Sequence, residues 1–178
     1  DWTMYLKVLK GLYATIRFHN LRVKGSKVKL LGKTLDFLGK RITNGEILPD
    51  PHTISKINNY SPKDIITKGQ MLSFIGLVSY VSDHIFQASV ILHKLRVAAK
   101  GAVAEHVIWT TELIEAFNKT KEALLGVIAL HAPDPSLNHF LVVDTSKLAT
   151  GAILFAKQDD KKLIVGIFSR KRTDAENK

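Results

Sequence analysis

The 178-residue chain contains no cysteine, which excludes disulfide bonds and metal sites built from thiolates. It has no apolar run near the roughly 18 to 20 residues that a membrane-spanning helix needs, and its first residues show no cleavable signal pattern. These absences predict an intracellular protein with no membrane partner, and they do not distinguish the nucleus from the cytoplasm. Residue 1 is Asp rather than Met, so we expect the chain to be a piece of something longer.

Several common catalytic and binding patterns are also missing. The sequence has no glycine-rich phosphate-binding loop, no Tyr-x-Asp-Asp and no credible nucleophilic triad. The seven His show no paired spacing with Asp or Glu on one face, so they predict no metal site. The adjacent acids Asp159 and Asp160 lie in the polar stretch KQDDKK, which predicts a turn.

Acidic residues are scarce in the first part of the chain. Residues 1–100 contain 16 Lys and Arg against 6 Asp and Glu, a net charge of +10, whereas residues 101–178 contain 10 of each kind. From Lys7 to Arg41, ten basic residues accompany a single acid, Asp36. Such a block attracts polyanions through counterion release. A solvated basic face kept for solubility explains the same pattern equally well, so charge alone leaves both alternatives open.

The apolar residues predict helices in the first two thirds of the chain. Helical spacing occurs in four segments, which cover residues 1–20, 68–80, 86–99 and the stretch after Thr110 or Thr111, either of which can cap its helix. A shorter helix is expected after the Pro49-Asp50-Pro51 break, capped by Thr53 or Ser55. The stretch from Lys100 to His106 is predicted to be a flexible joint.

Strands are predicted in two places. Residues 27–31 (KVKLL) and 35–42 (LDFLGKRI) have strand composition, with residues 31–34 (LGKT) as the turn between them, and Asn44-Gly45 is a hairpin signal that adds a third short strand at Ile47 and Leu48. Farther along, FLVVD, GAILFA and LIVGIFS predict an antiparallel meander of three strands. The combination predicts an α+β fold.

Four collinear stretches resemble the reverse transcriptases of gypsy-type long-terminal-repeat retrotransposons and their retroviral relatives. They are FLGKRITNGEILPDP, MLSFIGLVSYVSDHI, VIWTTELIEAFNKTKEALL, and HFLVVDTSKLATGAILF together with IFSRKRTDAE. The resemblance implies a helix plus a basic β-hairpin at the end of the palm over residues 1–50 and a helical thumb over residues 51–105. It further implies a connecting helix and the first antiparallel strands of an RNase H-like domain over residues 106–178.

The resemblance also implies binding of an RNA-DNA hybrid or another nucleic acid, as primer-template, by the hairpin and the thumb. Contacts of this kind meet phosphates and duplex shape more than base sequence. The residues expected to meet phosphate are Lys24, Lys27, Lys29, Lys33, Lys40 and Arg41. Plain core packing is the simpler expectation for the apolar and aromatic residues of the motifs, which are Phe37, Leu38, Phe74, Leu77, Tyr80, Trp109 and Phe117.

One carboxylate matches the RNase H centre of the family. Asp144, at the end of FLVVD, corresponds to the first of four carboxylates that hold two Mg²⁺ ions, although without the resemblance a strand-end Asp is more often a turn former. One carboxylate cannot hold a metal pair, so Asp144 is a catalytic and metal-binding candidate only if the others are supplied elsewhere. Glu176 is interpreted as the capping partner of Thr173 rather than as the catalytic Glu. The polymerase carboxylates are expected upstream, so this chain alone is predicted to be inactive.

Three departures from the family pattern leave a second function open. Lys40 stands where the family has His, Tyr80-Val81-Ser82-Asp83 replaces Tyr-Tyr-Arg-Arg, and Asp144-Thr145-Ser146 replaces Asp-Ala-Ser. The loss of two arginines weakens the expected thumb grip on nucleic acid. The alternative is a domesticated, catalytically inactive module for protein-protein interaction, in which a protein partner would cover the apolar face and free edge of a truncated sheet.

Overall fold

The computed structural model describes residues 1–30, 32–147, 149–173 and 175–176. The chain divides into two compact units, Asp1–Lys33 and Thr34–Lys178. Helices and two separate antiparallel sheets make an α+β fold, which confirms the predicted class. In the described ranges no helix is both long enough and apolar enough to cross a membrane. The predicted division at residues 50 and 105 follows motif resemblance and stays a prediction.

The first unit contains one long helix, α1 (Trp2–Phe18), followed by a short 3₁₀ helix at Gly25–Lys27. The Asp1 carboxylate caps α1 by accepting a hydrogen bond of 2.9 Å from the Thr3 N–H, which places negative charge at the positive end of the helix dipole. No residue of α1 is fully buried. The helix predicted for residues 1–20 is therefore confirmed, and its apolar stripe is half-buried at most.

The first sheet follows the order β1-β2-β3-β4 and is antiparallel throughout. Its strands are β1 (Thr34–Phe37), β2 (Lys40–Thr43), β3 (Glu46–Pro49) and β4 (Leu130–His131). Asn44 and Gly45, with φ of +50° and +81°, make the turn into β3, which contains Ile47 and Leu48 as predicted. The fourth strand returns from a distant part of the chain and lies beside β3.

The turn between β1 and β2 lies at Leu38–Gly39, not at LGKT. Both residues have positive φ, +48° and +71°, as a tight two-residue hairpin turn requires, and Phe37 pairs directly with Lys40. The predicted strand over 27–31 is wrong for residues 27–30, because the Lys27 N–H instead closes a 3₁₀ turn on the Lys24 carbonyl at 2.9 Å. Leu31 lies outside the described residues.

The described part of the second unit contains the α-helices α2 (Pro51–Asn59), α3 (Lys68–Tyr80), α4 (Ala88–Ile91), α5 (His93–Ala98) and α6 (Thr111–Ala123), with short 3₁₀ helices at Pro62–Asp64 and Ser82–His84. Asp50 caps α2 by accepting from the His52 N–H at 3.1 Å, so the predicted caps Thr53 and Ser55 are wrong. Pro51 occupies the first turn, where its missing N–H costs nothing, and the helix therefore begins earlier than expected. Thr110 caps α6 as predicted.

The single helix predicted over residues 86–99 is interrupted. Gln87 has a left-handed backbone with φ of +54°, so α4 begins only after it, and Leu92 separates α4 from α5. Leu92 is 1% exposed and belongs to the core, so the chain bends at a residue whose side chain is buried. Tertiary packing therefore overrides the continuous helical spacing of the sequence.

Aromatic side chains centre the helical core. The rings of Phe74 in α3 and Phe117 in α6 are 4.8 Å apart, Tyr60 packs on Phe74, and the Trp109 indole N–H donates to the Ile65 carbonyl at 3.0 Å. The prediction that the motif residues pack in the core is confirmed for Phe74 and Phe117. Trp109 and Leu77 are half-buried and pack against this core. The prediction is wrong for three residues near the hairpin turn, because they lie outside this core and are 58%, 74% and 51% exposed: Phe37, Leu38 and Tyr80.

Backbone hydrogen bonds fasten the segment after α5 to the start of α3. The Lys68 N–H donates to the Glu105 carbonyl and the Val107 N–H donates to the Ile66 carbonyl, both at 2.8 Å. Thr67 and His106 form an isolated antiparallel bridge between them. The segment predicted to be a joint is thus tied to the helical region.

The second sheet is the predicted meander, β5 (Asn138–Thr145), β6 (Ala149–Gln158) and β7 (Lys161–Lys171), in the order β5-β6-β7. Asp159, with φ of +52°, makes the turn into β7. Every residue of β5 is exposed. The sheet meets the helices where the Ser89 and Ser169 hydroxyls lie 2.5 Å apart.

Candidate nucleic-acid interface

The first four predicted phosphate ligands lie in the first unit. Lys24 precedes the 3₁₀ helix and Lys27 is its last residue, while Lys29 and Lys33 follow in a segment without regular structure. All four are exposed, and within the described ranges no salt bridge involves any of them. The unit as a whole carries eight Lys or Arg against one acid, Asp1, a net charge of +7. These lysines are available to an external anion.

Arg41 lies in β2 of the second unit and already has an anionic partner. Its Nε donates to Asp36 Oδ1 at 2.8 Å and its Nη2 donates to Asp36 Oδ2 at 3.2 Å, which is a bidentate pair between directly opposed residues of β1 and β2. The Asp36 hydrogen bond raises the pKa of Arg41. Binding of phosphate by Arg41 would compete with this pair.

The turn between β1 and β2 is held from one side by Tyr80. The Tyr80 hydroxyl donates to the Leu38 carbonyl, and a Cβ built at Gly39 would overlap the Tyr80 ring, so only glycine fits here. The Gly39 carbonyl accepts a further bond of 2.9 Å from the Asp50 N–H. The side chains of Phe37 and Leu38 face solvent on this anchored turn.

Lys40 follows the turn and contacts the residues that follow α3. Its Nζ lies 3.2 Å from Asp83 Oδ2 and 3.3 Å from His84 Nε2. His84 is completely buried, and its Nδ1 lies 2.9 Å from the Ile128 carbonyl oxygen. Burial and the nearby Lys40 charge lower the pKa of His84, outweighing the opposite effects of Ile128 and Asp83. The predicted phosphate ligand Lys40 is therefore part of a polar cluster with Asp83 and His84, of which only His84 is buried.

Asp144 lies near the end of β5, opposite Gly151 of β6. It lines a cavity of about 150 Å³ whose wall is otherwise mainly apolar and includes Phe86, Val90 and Val142. Among the described residues no group of three or more His, Asp or Glu is arranged to hold a metal ion. These residues alone do not fit the four-carboxylate, two-metal arrangement, so the role of Asp144 stays a prediction.

Glu176 caps the chain end that follows β7. Its Oε2 accepts from the Thr173 N–H at 2.8 Å and from the Thr173 hydroxyl at 3.0 Å, while Arg170 donates to Oε1. These bonds, led by the Thr173 N–H, lower the pKa of Glu176 to about 2. The geometry agrees with its interpretation as a capping residue, and Asp174 of the same motif lies outside the described residues.

The structure distributes the six predicted phosphate ligands over two units, with Lys40 and Arg41 adjacent in one strand. It also reveals contacts that the sequence did not predict, because Tyr80, Asp83 and His84 meet the hairpin turn. Lys40 lies 43 and 44 positions from Asp83 and His84, Leu38 lies 42 positions from Tyr80, and no local pattern indicates such contacts. The sequence offered one indication of the contact between Lys40 and Asp83, which is that both residues depart from the family pattern.

Comparisons with known proteins agree on one family. Residues 109–178 match the family described as RNase H-like domain found in reverse transcriptase. Over 97% of its length the chain is 29% identical to the retrovirus-related Pol polyprotein from transposon 412 of Drosophila melanogaster, of which it covers 14%. Over 78% of its length it is 30% identical to the enzymatic polyprotein of Cauliflower mosaic virus (strain Strasbourg), of which it covers 20%. The chain thus spans a fifth or less of these relatives.

Two solved structures share the fold over the whole chain. The foamy viral protease-reverse transcriptase dRH in complex with double-stranded DNA matches with a TM-score of 0.81 at 21% identity, and the chain covers 31% of it. The foamy viral protease-reverse transcriptase in complex with an RNA/DNA hybrid matches with a TM-score of 0.78 at 20% identity, with 24% of it covered. At these identities the likeness is one of fold.

The four motif stretches, the family match and the shared fold point the same way. The family match begins at Trp109, inside the third motif stretch, and the alignment to the transposon 412 polyprotein extends over 97% of the chain. The expected resemblance is confirmed. Residues 109–178 match the RNase H-like domain of reverse transcriptases, and the chain as a whole resembles a segment of retroelement polyproteins.

Proposed function

We propose that this chain contributes nucleic-acid binding to a reverse transcriptase, with an RNA-DNA hybrid or a DNA duplex as the ligand. The observation that carries the proposal is the set of four exposed lysines without an ion-pair partner among the described residues, in a unit of net charge +7. We call Lys24, Lys27, Lys29 and Lys33 the basic segment. Free lysines of this kind bind phosphate and release counterions, whereas paired ones must first lose a partner.

The hairpin turn is the second candidate contact. Phe37 and Leu38 are 58% and 74% exposed on a turn that Tyr80 and Asp50 hold in place. Exposed apolar and aromatic side chains on a rigid support suit contact with the sugars of a duplex, and such contacts do not depend on base sequence. The foamy viral relatives of this fold were solved with double-stranded DNA and with an RNA/DNA hybrid, which supports a duplex ligand.

The test is a titration of the full chain with a short labelled RNA-DNA hybrid at about 50 and 200 mM salt. The variant in which the basic segment is changed to Gln should lose at least roughly tenfold in affinity at low salt. The slope of log K against log salt should fall by about 0.9 for each phosphate that the variant no longer neutralises. Undetectable binding of the unchanged chain at low salt would overturn the proposal.

The matched control removes the same charge from other exposed lysines, namely Lys119, Lys147, Lys157 and Lys161. Both quadruple variants lower the net charge by four, so a general electrostatic attraction would weaken binding equally in the two. We expect the control to retain most of its affinity and slope. An equal loss in both variants would mean that net charge, and not the basic segment, determines binding.

A second function is favoured by the second sheet. Phe140, Leu141, Val142 and Val143 of β5 are between 44% and 64% exposed. Exposed apolar strands of this kind are commonly covered by a partner, as in the alternative of a domesticated interaction module. In a pull-down, Leu141→Lys should then abolish capture of the partner while hybrid binding stays unchanged. A partner that binds the variant equally well would contradict this second function.

A further inference from the structure

We propose that Lys40, Tyr80, Asp83 and His84 form a clasp that fixes the hairpin turn against the end of α3, so that Lys40 is a positioning residue and not a phosphate ligand. The clasp is a property of the fold. Its consequence for hybrid affinity rests on the proposed function. Together the four side chains join the hairpin turn and the start of β2 to the helical region.

The distances define two independent fastenings. Lys40 Nζ reaches both Asp83 Oδ2 at 3.2 Å and His84 Nε2 at 3.3 Å, while the Tyr80 hydroxyl donates to the Leu38 carbonyl on the other side of Gly39. An exposed pair such as Lys40 with Asp83 contributes little by itself, because water competes for both charges. The additional contact with buried His84 gives the ammonium a fixed position.

The tautomer of His84 follows from its neighbours. A carbonyl oxygen only accepts, so Nδ1 must carry the proton that is donated to Ile128, and in the neutral ring Nε2 is left as an acceptor. Lys40 is a donor only, and it matches that acceptor. The Ile128 N–H in turn donates to the His84 carbonyl at 2.9 Å, so the ring is held from both its side chain and its backbone.

The clasp and a phosphate-binding role make opposite predictions for Asp83. If the region only attracted phosphates, removal of an acid by Asp83→Asn would strengthen hybrid binding. If Asp83 holds Lys40, the same change frees the ammonium and loosens the turn. We therefore expect Asp83→Asn to weaken binding severalfold although it raises the net charge by one.

Lys40→Met completes the comparison, because it keeps the aliphatic stem and removes the charge. We expect weaker binding with an unchanged slope of log K against log salt, whereas removal of a phosphate ligand lowers that slope by about 0.9. Lys29→Met in the basic segment is the matched control and should lower the slope. A lowered slope in Lys40→Met, or tighter binding by Asp83→Asn, would overturn the proposal.

A charge-exchange variant distinguishes a specific ion pair from a general loss of structure. The exchange variant, Lys40→Asp together with Asp83→Lys, keeps the net charge and can restore the ion pair. Each single change alone places two like charges together at the turn. We expect the exchange variant to bind the hybrid better than either single variant, and an affinity no better than that of the worse single variant would count against a clasp.

A spectroscopic measurement tests the clasp when no nucleic acid is present. Nitrogen-15 NMR of the His84 ring should show the Nδ1-protonated tautomer, and its Nε2 signal should move in Lys40→Met and stay in Lys29→Met. A His84 ring that is unaffected by Lys40→Met would overturn the clasp. If the ring responds as expected but the unchanged chain binds no hybrid, the clasp holds and the proposed function fails.

Discussion

The helical region and the three-stranded sheet contain similar apolar sequences and use them differently. Phe74 and Phe117 are no more than 1% exposed, whereas the equally apolar Leu141 and Val142 of β5 are 64% and 55% exposed. Helices α2 to α6 pack on one another, so each apolar stripe meets a second layer. The described residues provide no such layer over β5. Apolar spacing therefore determines the type of element, and burial depends on what packs against it.

The largest expected effect tests the packed side of this comparison. Phe74→Ala should lower the free energy of unfolding by about 3 to 5 kcal/mol, because it leaves a cavity beside Phe117 and Tyr60. Denaturation in urea, followed by Trp109 fluorescence in a Trp2→Phe background, measures the loss near the core. Leu72→Ala is the control on the same helix, where the side chain is 46% exposed and the loss should stay near 1 kcal/mol or below. Equal losses of unfolding free energy in Phe74→Ala and Leu72→Ala would contradict the distinction between buried and exposed apolar residues.

The next effect concerns pH and the buried imidazole. Because the pKa of His84 is lowered by folding, the unfolded chain takes up a proton that the folded chain resists. The contribution of neutral His84 to stability is complete above the ordinary pKa of 6.5 and is lost as the pH falls below it.

His84→Gln should therefore flatten the pH dependence of stability just below pH 6.5, because Gln can accept from Lys40 but does not titrate. Urea titrations of both proteins at several pH values measure the difference. His93→Gln is the control, since the pKa of His93 is also lowered, mainly by burial, but that residue is only half-buried. A smaller change for His84→Gln than for His93→Gln would contradict the clasp geometry.

A smaller effect is expected at the start of α6. The Thr110 hydroxyl accepts from the Leu113 N–H at 3.3 Å, so Thr110→Ala should cost about 1 kcal/mol of unfolding free energy. Thr111→Ala lies one position inside the helix and should change stability by about 0.5 kcal/mol or less. Thermal denaturation of the two variants side by side decides which threonine is the cap.

The smallest expected effect tests the exposed side of the comparison. Leu141→Thr should change the free energy of unfolding by no more than about 0.5 kcal/mol, because the side chain is already 64% exposed and Thr suits a strand. Circular dichroism during urea denaturation measures it. A loss above about 2 kcal/mol that grows with protein concentration would mean that a second copy covers β5.

Local signals predicted most elements of this fold. Asn44-Gly45 predicted the second hairpin turn, the spacing of Met71, Ile75 and Val78 predicted α3, and the change of period after residue 135 predicted the meander. The hairpin turn at Leu38–Gly39 was missed because Leu rarely adopts positive φ, and the contacts that hold the turn come from Tyr80 and Asp50, outside the local pattern.

The candidate site was less predictable, because its contacts join distant residues. The sequence identified Lys40 as a basic residue and Asp83 as an unfavourable acid, each a separate departure from the family pattern. In the structure the two residues are in contact, with Lys40 Nζ 3.2 Å from Asp83 Oδ2, so each charge is the partner of the other. By contrast, exposure of the basic segment followed directly from its composition, since eight cations and one acid in 33 residues cannot all be paired internally.

The bridge between Thr67 and His106 has a consequence for protein engineering. It brings the two ends of the stretch from Ile66 to Val107 side by side, with a backbone hydrogen bond of 2.8 Å closing the loop. A stretch whose ends meet can be exchanged for one of the same shape without changing the path of the flanking chain, provided that the new stretch keeps the buried face. We expect that helices α3 to α5 can be replaced as one block by the corresponding helices of a related polyprotein. The replacement must present side chains that pack against Ile57 and Phe117.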